Sequence, residues 1–154
     1  MKPLGLLFFL LVVGATFGFS QECQTASAVP ADQVRLARGK VVLDNDGVAS
    51  IKGGQAVYAK ITNESEVEIP YWVNVAVLAQ GKLPYTMNCK REATLAPKES
   101  AVVWGSSTAE APIPWQVSVT KGPESDDPAT GVLRYEVYSN PPKENSPKQS
   151  SPKQ

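Results

Sequence analysis

The chain has 154 residues, with 15 Lys and Arg against 15 Asp and Glu, 13 Pro, 11 Gly, 2 Cys and no His. Without imidazole there is no Ser-His-Asp or Cys-His catalysis, no HExxH zinc helix and no His proton switch. Two cysteines cannot complete a four-ligand Cys/His zinc site, and the neutral charge balance argues against nucleic acid, whose partners carry a basic footprint.

Residues 1–20 run from Lys2 through an apolar stretch, Leu4 to Val13, to small residues ending Gly18-Phe19-Ser20. This is the pattern of a secretory signal peptide, with Gly18 and Ser20 at the positions the peptidase reads. A membrane span needs about 20 apolar residues, and this run is shorter, so only an uncleaved signal would hold the chain to a membrane. The expected location is secreted or periplasmic, with Gln21 as the first mature residue. All four Phe residues (Phe8, Phe9, Phe17, Phe19) lie in the signal. The exported domain must therefore build its core from Val, Leu, Ile, Ala, Trp and Tyr.

Residues 21–33 read as an N-terminal arm. Export makes Cys23 and Cys89 disulfide partners, since only one pairing exists and free thiols do not persist in an oxidising compartment. A loop of this size gives an upper figure of about 4 kcal/mol in the chain-entropy model. Cys23 is expected at a poorly packed start of the chain, and Tyr85 to Cys89 reads as strand.

From residue 34 to 140 the apolar pattern has period two. Val57, Ala59 and Ile61 share one face while Tyr58, Lys60 and Thr62 share the other. Trp115 to Thr120 alternates likewise, and Leu133, Tyr135 and Val137 alternate with Arg134, Glu136 and Tyr138. Pro70 to Leu78 and Ala101 to Trp104 are more continuously apolar, as in strands covered on both faces. Turn signals punctuate them: Asp44-Asn45-Asp46-Gly47, Gly53-Gly54, Asn63-Glu64-Ser65, Gly81-Lys82, Ala96-Pro97-Lys98-Glu99 and Gly122-Pro123. The fold class this predicts is all-β, a single antiparallel β-sandwich of about seven or eight strands.

The run Ile61-Thr62-Asn63-Glu64-Ser65, the Trp-bearing strand Trp72 to Leu78, and Leu95-Ala96-Pro97-Lys98-Glu99-Ser100 together resemble immunoglobulin-like and fibronectin-like sandwich domains of secreted proteins. The resemblance covers residues 56–120 and implies an Ig-like sandwich; it carries over no functional residue. The cysteines depart from it, because Cys23 precedes the predicted sandwich and so is not the intersheet cysteine that flanks a core Trp. Residues 141–154, with Ser-Pro-Lys-Gln nearly repeated, read as a disordered, solvated tail.

Candidate sites are few. Glu64, Glu66 and Glu68 would share one face of an extended segment, a weak calcium spacing that lacks the remaining loop ligands. Asp44 to Gly47 and Glu124-Ser125-Asp126-Asp127-Pro128 read as acidic turns. No cofactor or resident metal is expected. No Ser stands in a Gly-x-Ser-x-Gly elbow, and no catalytic residue is named. The exported aromatics carry the binding expectation. Tyr58 and Tyr138 point outward, and Tyr85 and Trp72 are further candidates for ligand contact. Lys82-Leu83-Pro84-Tyr85 and Ala111-Pro112-Ile113-Pro114 read as stiff presenting loops. Asn63 is a glycosylation acceptor in a eukaryotic host and otherwise a turn residue. The function expected is a non-catalytic interaction domain, taking an envelope or extracellular protein through strand edges and loops. Polysaccharide bound on exposed aromatics is the alternative, and a small carboxylate hydrolase a distant third.

Overall fold

The computed structural model describes residues 21–42, 47–78, 86–122 and 131–140. Among them the alternating segments become nine strands: β1 (Gln24–Ala26), β2 (Val34–Val42), β3 (Gly47–Gly53), β4 (Ala56–Asn63), β5 (Ile69–Val77), β6 (Thr86–Leu95), β7 (Ser100–Ser106), β8 (Ile113–Lys121) and β9 (Val132–Ser139). They form two antiparallel sheets. Sheet I has the order β1-β7-β4-β9-β2, and sheet II the order β3-β8-β5-β6.

The period-two faces close on each other as the sequence predicts. Val57, Ala59, Ile61, Leu133 and Val137 of sheet I meet Val73, Val75, Trp115, Val117 and Val119 of sheet II, all buried. Trp115 fills the largest share of this Phe-free core. Its indole Nε1 donates to the Gly54 carbonyl at 2.9 Å, so the polar end of the ring is satisfied while its body is buried. Ser139 pins the same β3–β4 turn, accepting from Gly54 N and donating to the Ala56 carbonyl.

The pairing order was not readable from alternation, which says which side chains face inward and nothing about neighbours. β2 pairs with β9, β3 with β8, β4 with β7 and β5 with β6. That is one long antiparallel hairpin, rolled so that β4 also pairs with β9 and β5 with β8. The order is that of a jelly roll, and it differs from the immunoglobulin arrangement that the sequence resembles. The ninth strand comes from the expected arm, where residues 24–26 pair with β7.

Two segments expected to be covered on both faces differ. Val102, on the outer face of β7, is only 5% exposed, because residues 27–33 run from β1 at one edge of sheet I to β2 at the other and lie over it. Trp72, on the outer face of β5, is 37% exposed, so that strand is covered on one face alone. Its apolar composition reflects a central position in the sheet, not burial on both sides. The Ala111–Pro114 segment is also less of a loop than expected: Ile113 is buried and opens β8 with Pro114.

Candidate functional site

The two long sides of the sandwich are built differently. At one side, residues 21–23 lie against β6: Cys23 N donates to the Lys90 carbonyl at 3.0 Å and Lys90 N to the Gln21 carbonyl at 2.9 Å. The chain then crosses at once to sheet I as β1, and the Cys23–Cys89 disulfide fixes the crossing. Cys23 is 3% exposed, so the start of the described chain is packed, contrary to the expectation of a loose arm. The disulfide therefore does join the two sheets, at the β1/β6 margin of the core, where both cysteines are buried. Arg91 to Glu22 at 2.9 Å adds an ion pair on the same side.

At the other side the edge strands β2 and β3 lie beside each other. Among the described residues neither has a strand pairing with its outer edge. The mouth between them is narrow. The Tyr135 ring lies across Gly39 and Gly47, and a Cβ built on either glycine would fall 2.3 Å from a Tyr135 atom. Val34, Val42 and Val48 are among the most exposed large apolar residues, at 48%, 42% and 51%. At the corner below, Val42, Val67 and Val132 line a shallow hollow of about 580 Å³ rimmed by Lys40, Glu64 and Glu66.

The aromatic candidates do not form one platform. Tyr58 and Tyr138 are directly opposite each other on β4 and β9, on the outer face of sheet I. Trp104 stands opposite Tyr58 on its other side and stacks on it, with centroids 5.7 Å apart and planes at 26°. Trp104 was missed because its run reads as core, and only the register between β4 and β7 reveals the row. The row borders a groove of about 600 Å³ between residues 27–31 and the sheet, lined in part by Lys60, Val102 and Tyr138. Trp72 is on the opposite outer face, with the Lys90 ammonium 5.7 Å from its ring centroid. Tyr85 lies outside the described residues, as do the signal peptide, the turn at 44–46, the acidic loop at 124–128 and the tail.

The acidic triplet does not converge. Glu64 meets Lys40 at 3.5 Å and Arg134 at 3.3 Å, and Glu66 meets Lys98 at 3.1 Å. Among the described residues no three metal-ligating side chains come together. Asn63 is fully buried; its Nδ2 donates to the carbonyls of Val67, Leu95 and Ala96, and its Oδ1 accepts from Ser65 N. Its side chain serves the turn, and the folded domain has no room for a glycan there.

Glu136 is the carboxylate with the most defined surroundings. Partial burial favours its neutral form, but hydrogen bonds from Tyr138 and Arg35, with Arg134 nearby, outweigh that and hold it below its ordinary value. The Tyr138 phenol is pushed up in turn, by partial burial and by the Glu136 carboxylate. This is a fixed ion pair with a phenol donor, not an acid–base couple set near neutrality.

No family model matches this chain, and no curated protein matches it in sequence. Among solved structures it is similar to a mitogen from Yersinia pseudotuberculosis, at 9% identity and a TM-score of 0.44 over 74% of this chain and 91% of that one. It is also similar to an acetyl xylan esterase from the rumen bacterium Butyrivibrio proteoclasticus, at 16% identity and a TM-score of 0.35 over 80% of this chain and 34% of that one. No residue and no activity is carried across from either.

Proposed function

We propose that this chain is a secreted or periplasmic, non-catalytic interaction domain that takes a protein ligand at the β2/β3 side. The observation that carries the reading is the asymmetry of the two sides. One is bridged by residues 21–26, which pair with β6 at Lys90 and with β7, and by a disulfide. The other has two long edge strands with no such bridge among the described residues and with Val34, Val42 and Val48 exposed beside them. Uncovered edges are a liability that folded proteins blunt unless they are used, and added-strand recognition uses them. The extracytoplasmic location is supported by the disulfide, a bond of oxidising compartments, and by the signal-like residues 1–20.

A second reading, glycan binding, is favoured by the Trp104-Tyr58-Tyr138 row beside its groove. Against it, Tyr58 and Trp104 each spend one ring face on the other, whereas sugars stack on free faces. Immobilised mature chain, residues 21–154, is expected to retain protein from envelope or culture extract. That retention is expected to disappear when Val48 and Arg38 are replaced by Asp and to survive Trp104→Ala. Retention of polysaccharide alone, abolished by Trp104→Ala, would replace the protein reading with the glycan one.

A further inference from the structure

The outer face of β2 is set by a bulge. Against β9, Arg35 is opposite Tyr138, then the register shifts, and Ala37 is opposite Val137, Arg38 opposite Glu136 and Lys40 opposite Arg134. Tyr138, Glu136 and Arg134 all lie on the outer face of β9, so Arg35, Arg38 and Lys40 share the outer face of β2. Without the extra residue at Leu36, Arg35 would have the parity of Ala37, Gly39 and Val41 and point toward the core. The bulge thus converts a two-cation face into a three-cation stripe along a free edge.

Two of these cations are partly answered within the chain, Arg35 by Glu136 at 3.2 Å and Lys40 by Glu64 at 3.5 Å. Both stay well exposed, with side chains 46% and 58% accessible. Arg38 is exposed and has no ion-pair partner among the described residues. On the inner side of the same edge Ala37 is small and half-buried, a place for an apolar side chain of an added strand, while at Gly39 the Tyr135 ring already fills the space.

An edge so charged discriminates. A second copy of β2 pairing antiparallel about its middle sets Arg38 opposite Arg38, and shifting the register sets Arg38 against Lys40 or Lys40 against Arg35, each a like-charge pair. A neutral strand gains hydrogen bonds but no charge. A strand with carboxylates at alternate positions answers the stripe, as Glu64 already answers Lys40 and Arg134 from within the chain. Resting on the protein-binding reading above, we infer that β2 accepts, as an added strand, an extended segment of a partner protein in which acidic residues alternate with apolar ones. The same cations that keep copies of this chain apart select that partner.

The test uses isotope-labelled mature chain and a capped synthetic peptide, Thr-Glu-Val-Glu-Val-Glu-Thr, with matched peptides carrying Gln or Lys in place of Glu. The Glu peptide is expected to move backbone resonances of β2 and β9 and leave those of β1 and β6 unmoved. Its affinity should fall by about tenfold in Arg38→Glu, fall with added salt, and be absent for the Lys peptide. Arg38→Glu loses no ion pair but sets a like charge opposite Glu136, so circular dichroism checks its fold, and Arg38→Gln, which adds no such pair, is expected to weaken binding in the same direction. Equal binding of the Lys peptide, shifts confined to β1 and β6, or no shift at millimolar peptide overturns the inference. So do concentration-dependent β2 shifts without peptide, which would give the edge to a second copy. If extract protein is still captured at the β2/β3 side while all three peptides fail, the charge rule falls and the interaction reading stands.

Discussion

The β1/β6 side and the β2/β3 side of this sandwich solve the same problem in opposite ways. A jelly roll leaves an edge strand of each sheet at either side, with backbone donors and acceptors in need of partners. On the β1/β6 side the chain itself supplies part of them: three residues lie along sheet II and bond at Lys90, three more pair with sheet I, and a disulfide locks the step between. On the β2/β3 side nothing in the described chain does so, and the edge carries cations, a bulge and exposed valines instead. The first side ties the two sheets together; the second is the side we propose for recognition. On that proposal, stability and recognition fall to different edges of one small domain.

The comparison can be broken most severely at its covalent point. Replacing Cys23 and Cys89 together by Ser should cost about 2–5 kcal/mol, read as a lower urea midpoint, because the crossing strand loses its closure. Binding at the far side should survive in conditions where the variant is still folded. On the open side the sensitive point is internal. Gly47→Ala drives a methyl into Tyr135 and Val41 and should cost about 1–3 kcal/mol by overpacking, with the same probe.

A smaller effect comes with acid. The Glu136 carboxyl is held below its ordinary value of 4.5 in the folded chain, so it binds its proton less readily there than when unfolded. Its stabilising contribution is therefore present above that value and lost as pH falls through the lowered folded-state range. Stability of the wild type should be flat between neutral pH and about 5 as far as Glu136 contributes, then fall, and Glu136→Gln should reduce that fall. The smallest expected effect on stability is on the open surface itself: Val48→Asp and Arg38→Gln should each change stability by no more than about 0.5 kcal/mol while abolishing or weakening capture.

Much of the inward face was legible. The alternations at 57–61, 115–119 and 133–137 put the same side chains in the core that the structure buries, and export with one possible pairing gave the disulfide. What stayed hidden depends on contacts between residues far apart in sequence. Trp104 belongs to the same row as Tyr58 and Tyr138 only because β7, β4 and β9 are neighbours, and no local pattern records that. The bulge at Leu36 is a one-residue register shift against a strand about 100 positions away, yet it decides which way Arg35 points. Asn63 looked like a surface turn and is instead a buried peg that ties the turn after β4 to the one after β6. Glu64 and Glu66 had only a weak spacing for a metal ion, and the fold pairs them with its own lysines and arginine.

The division of labour between the two sides is tested most directly by where a partner touches. A photoreactive residue placed at Val48 on β3, and in a second protein at Glu92 on β6, reports contact at each side during capture from envelope or culture extract. The account predicts a discrete protein adduct from position 48 and none from position 92. An adduct from position 92 alone would contradict it, placing the interaction on the side that the disulfide closes.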